Sequence, residues 1–165
     1  KLRVHSFDEA EDIAQVETVR RAVGERMAIG VDANQGWRVA LVDDAPLWDL
    51  ERATNFARAC ADNGVAWLEE PLDMYAWDDL AELRRRSDVA IAGGELNAGW
   101  HEFRTMLEKD CFDIYQPDAT FGGGISDCGA VTSKPSLAVG ASGTPIVAFH
   151  CGIAGDYYVY VRRVK

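Results

Sequence analysis

Asp32, Glu69 and Glu95 each close a short apolar run, in "AIGVDAN", "VAWLEEP" and "VAIAGGEL". A carboxylate at the end of a buried strand is costly unless a partner compensates it. Three carboxylates brought within a few ångströms repel one another unless a divalent cation joins them. All-oxygen ligation of that kind suits Mg²⁺, with room left for water and substrate oxygens. Other polar residues fall at similar places: Asn34 after Asp32, Asn97 after Glu95, Asp118 at the end of "FDIYQPD" and His150 at the end of "TPIVAFH". Lys1 and Arg3 form a K-x-R pair in the opening "KLRV".

The elements that must position these residues are legible as an alternation. Strands are expected at 1–4, 26–34, 65–71, 89–96, 112–118 and 144–150. Helices are expected at 8–23 (Ile13, Val16, Val19, Val23), around Leu50, Ala53, Phe56, Ala57 and Cys60, around Leu80 and Leu83, and around Phe103, Met106 and Leu107. Strand–helix alternation implies a parallel sheet with helices on its outer face. The polar residues then gather at the carboxyl ends of the strands. That is the active-site face of a (β/α)8 barrel and equally the ligand edge of an open parallel sheet. The longest expected loop, 38–49, is of the kind that often shapes a site.

The chain has 165 residues, 48% of them hydrophobic and 27% charged, enough for one soluble domain with a real core. A net charge of −10 argues against nucleic-acid and anionic-membrane partners, and no run is long and apolar enough to span a membrane. Cys60, Cys111, Cys128 and Cys151 lie far apart without a C-x-x-C pair, which fits reduced thiols in the cytoplasm.

"GVDANQGW", "WLEEPL", "GGELNAG" and "YQPDATFGGGIS", in that order, resemble the enolase superfamily, in particular the mandelate racemase group within the mandelate racemase/muconate lactonizing enzymes. The resemblance runs from residue 1 to about 126 and resumes at His150. It implies a (β/α)8 barrel, here with about six β/α units and no capping domain. Residues 127–165 are atypical. It further implies Mg²⁺ held by Asp32, Glu69 and Glu95, substrate contact from Asn34, and Glu70 turned to the other side of its strand as a structural group. Lys1 and Arg3 would face the substrate, and Asp118 and His150 would form an Asp–His dyad. Glu as the third ligand, and Asp118 where other members carry lysine, favour the mandelate racemase group.

The reaction so implied is abstraction of a proton α to a carboxylate, through an enediolate, in an acid-sugar dehydratase or racemase. His150 would be the base, oriented by Asp118. Lys1 would be the opposing acid/base or a clamp on the carboxylate. Arg3 stays protonated and so holds an anion better than it accepts a proton, which favours one-sided dehydration over racemisation. His5 and His101 have no such partner and read as structural.

A full barrel takes roughly 250 residues. The chain begins at Lys1 without an initiator methionine, so it reads as a piece of something longer. Residues 127–143 should form one amphipathic helix, yet Pro135 and three glycines interrupt them. The tail from 156 alternates like an edge strand. Two other readings stay open. One is a catalytically inactive barrel fragment; the other is a subunit that completes its barrel with another chain, so that copies associate through unpaired edges.

Overall fold

A computed structural model describes residues 1–4, 6–37 and 47–118 in full, and the backbone of 136–139, 145–153 and 156–163. The expected loop at 38–49 falls mostly outside the described residues, as does His5.

Strand β1 (Leu2–Arg3) leads into helix α1 (Glu9–Val23), and the pattern repeats through β2 (Gly30–Asp32), α2 (Leu50–Asp62), β3 (Trp67–Glu69), α3 (Trp77–Arg86), β4 (Ala90–Gly93), α4 (Gly99–Lys109) and β5 (Ile114–Tyr115). The five strands form one parallel sheet in the order β1-β2-β3-β4-β5. The order never reverses, so the sheet has no switch point of the doubly wound kind. It is a singly wound α/β sheet.

Local chemistry sets the helices. Asp8 caps α1, its carboxylate accepting from the Ala10 N–H at 2.9 Å, and acidic residues fill the first turn while Arg20 and Arg21 fill the last. Asp49 caps α2 in the same way through the Arg52 N–H. The apolar stripes expected from spacing are the ones that bury: Ala53, Phe56, Ala57 and Cys60 on α2, Leu80 and Leu83 on α3, Phe103 and Met106 on α4. They pack on Val31, Leu68 and Ile91 of the strands to form the core. Buried Asp12 ties α1 to α2 through Arg52 at 2.9 Å. Among the described residues no helix is long and apolar enough to cross a membrane.

Beyond residue 118 two expectations are corrected. Strand β6 (Ser136–Val139) occupies part of the stretch expected to be helical. Pro135 and the flanking glycines make a crossover helix unfavourable there. The connection at 140–144 is shorter than the dozen or more residues a parallel crossover needs. Strand β7 (Pro145–Ile153) accordingly pairs antiparallel with both β6 and β8 (Asp156–Arg163), in a separate three-stranded sheet. The expected sixth parallel strand, ending at His150, is instead this antiparallel strand, with His150 inside it and paired with Val159. The alternating tail does form an edge strand, β8.

Candidate active site

Register brings the carboxylates together. Arg3 pairs with Asp32, and Asp32 with Glu69, so the three lie in one row across β1, β2 and β3. Side chains alternate along a strand, which puts Lys1 on the same face as Arg3. The Lys1 ammonium sits between the two acids, 2.9 Å from Asp32 Oδ2 and 2.7 Å from Glu69 Oε1. Both carboxylate side chains are only 2% exposed, whereas that of Lys1 is 33% exposed. Arg3 lies farther out, its Nε 4.0 Å from Asp32 Oδ2 and its side chain 68% exposed.

Each acid has further anchors. Asp32 Oδ1 accepts from the Asn34 N–H at 3.0 Å, with Asn34 in the left-handed region at φ 51°. Glu69 Oε2 accepts from Trp67 Nε1 at 3.2 Å. That indole lies across Gly30, where a Cβ would come within 2.2 Å of the ring. Burial raises the Glu69 pKa, but hydrogen bonds from Lys1, Gln116 and Trp67, with the charge of Lys1, outweigh it and hold the group below its ordinary value. On Lys1 burial acts downward, and bonds to Glu69 and Asp32 carry the pKa above its usual value.

Glu95 is less closely placed. Ala92, not Glu95, pairs with Glu69, and β4 ends at Gly93. Glu95 therefore stands two residues past its strand, partly buried. Among the described residues no three His, Cys, Asp or Glu side chains stand close enough to enclose a metal ion. Asp32 and Glu69 do converge on a cation, the ammonium. Mg²⁺ is commonly bound through one or two carboxylates with waters completing its shell, so this pair fits it in donor type and number. Asp118 is partly buried just after β5. The His150 side chain lies outside the described residues, so the expected dyad does too.

Sequence reasoning missed three features. Glu70 takes φ 48°, which breaks strand alternation, and it is buried at 6% exposure. Burial, then repulsion from Asp32, Glu95 and Glu69, pushes its pKa up to about 7. Gly36 makes room for it, since a Cβ there would stand 2.7 Å from the Glu70 carboxyl carbon. Gln116 hydrogen-bonds Glu69 and was legible only as part of "YQPD". Exposed Trp37, Tyr75 and Trp100 come from the segments after β2, β3 and β4, on the carboxylate side of the sheet. His101, expected to be structural, is 83% exposed in α4.

Residues 1–134 match the family model described as enolase C-terminal domain-like. The chain is 36% identical over 126 residues to L-talarate/galactarate dehydratase of Salmonella typhimurium, covering 76% of this chain and 29% of that protein. It is 31% identical over 137 residues to D-galactarolactone cycloisomerase of Agrobacterium fabrum, covering 83% and 33%. Among solved structures, L-talarate dehydratase from Polaromonas sp. JS666, complexed with Mg and L-glucarate, superposes with a TM-score of 0.66 at 34% identity, covering 75% of this chain and 32% of that one. The chain thus spans about a third of the length of the curated relatives it matches.

Proposed function

Because the chain belongs to the enolase C-terminal domain-like family, we propose that its carboxylate face binds Mg²⁺ and, within the whole protein, serves to take the α-proton from an acid-sugar carboxylate. The observation that carries this reading is the convergence of Asp32 and Glu69 on one cation position. The relatives are acid-sugar dehydratases and cycloisomerases, and one was crystallised with Mg and L-glucarate.

When bound, Mg²⁺ supplies Lewis-acid stabilisation of the negative charge that develops on the substrate carboxylate. Asp32 and Glu69 would hold it, and Glu95, two residues past β4, is the third ligand that the family resemblance implies. Asn34, held beside Asp32 by its own N–H, would present its amide to the substrate. Arg3 stays charged at any working pH and would hold an anion at the open side of the row. His150 would accept the α-proton, with Asp118 orienting it, and protonated His150 could then assist a leaving hydroxyl on the same face. That sequence favours dehydration over racemisation, since Arg3 is a poor second base.

Calorimetric titration of Mg²⁺ into the chain, with Glu69→Gln alongside, tests the metal site. Saturable binding lost in the variant is expected, and undiminished binding by the variant would refute the assignment. The chemistry is read by deuterium incorporation at Cα of galactarate or talarate in D₂O.

A further inference from the structure

We infer that the Lys1 ammonium is a tethered counter-ion, holding the divalent-cation position between Asp32 and Glu69 and released toward the anionic substrate when metal loads. This rests on the magnesium reading above and adds an exchange to it.

Asp32 and Glu69 are adjacent in register, almost wholly buried, and of like charge. Burying such a pair is costly unless a cation compensates it. Lys1 supplies that cation, with both oxygens within 2.9 Å of Nζ. Mg²⁺ binds its oxygens at about 2.0–2.1 Å. A divalent ion held by the same two oxygens would set a second cation beside the ammonium on one carboxylate pair. The two cations therefore compete for that pair by charge.

The rest of the site is built to survive the exchange. Asp32 Oδ1 also accepts from the Asn34 N–H, and Glu69 Oε2 from Trp67 Nε1, and neither bond involves Lys1. Lys1 is the movable party, a partly exposed side chain on a flexible four-carbon stem. Once displaced it stays on the face it shares with Arg3, so one event loads the metal and doubles the cationic charge available to an incoming carboxylate. Binding of metal before substrate follows from this coupling.

Lys1→Met removes the competitor and leaves both carboxylates. A site occupied by its own ammonium binds metal with affinity reduced by the fraction of chains left open. Calorimetry should therefore show Mg²⁺ binding tighter in Lys1→Met by about tenfold. Acetic anhydride labelling of the unsubstituted chain, located at Lys1 Nζ by mass spectrometry, should rise when Mg²⁺ is added. Equal or weaker Mg²⁺ binding by the variant, or Nζ labelling indifferent to Mg²⁺, would overturn the exchange while leaving the magnesium site standing. Absence of binding by both chains would overturn the magnesium reading and the exchange with it. The labelling arm needs no variant, so it decides the matter even if Lys1→Met fails to fold.

Discussion

Glu70 carries the sharpest residue-scale consequence. A carboxyl whose pKa rises on folding favours the folded state while it is protonated. Its contribution is complete below the ordinary value of 4.5 and is lost as pH rises through about 7. In a chelator-containing buffer the native chain should therefore lose stability across that window, by on the order of 2–3 kcal/mol. Glu70→Gln should flatten the loss, so that urea midpoints of the two chains separate at pH 8 and approach one another near pH 4. Parallel curves at every pH would show that Glu70 titrates normally. The sequence reading turned this side chain to the other side of its strand as a structural group, and Glu70 is buried. Its backbone at φ 48° was not legible, since a single left-handed residue has no periodic signature. Asp32 and Glu69 were legible because each ends an apolar run. The place of Lys1 between them was not, because it depends on register across three strands.

At the scale of elements, Gly30 and Trp67 pair across β2 and β3, and the indole fills the space a side chain at Gly30 would take. Gly30→Ala should force the ring aside, costing about 1–3 kcal/mol as an overpacked core site. It should also weaken Mg²⁺ binding, because Trp67 Nε1 is one of the donors that orient Glu69. Denaturant unfolding and calorimetry on the one variant check both, and unchanged values would show that the indole is not so confined. Helices were the most legible elements, since stripes such as Ala53, Phe56, Ala57 and Cys60 report local periodicity that packing then uses. Strand β7 was the least legible. Its apolar run suits parallel or antiparallel pairing alike, and the choice lies with partners far along the chain.

At the scale of the whole molecule, the five-stranded sheet aligns the carboxyl ends of its strands on one side, and that alignment is what turns scattered acids into a site. The chain spans about a third of the length of the curated relatives it matches. The proposed function rests on the cation position between Asp32 and Glu69. Manganese, which prefers similar oxygen donors, makes that position directly observable by anomalous diffraction from crystals of the chain soaked in Mn²⁺. An anomalous peak bridging Asp32 and Glu69, with the Lys1 side chain swung away from it, is the expected result. A bridge still filled by the Lys1 ammonium, with manganese bound elsewhere or not at all, would contradict it.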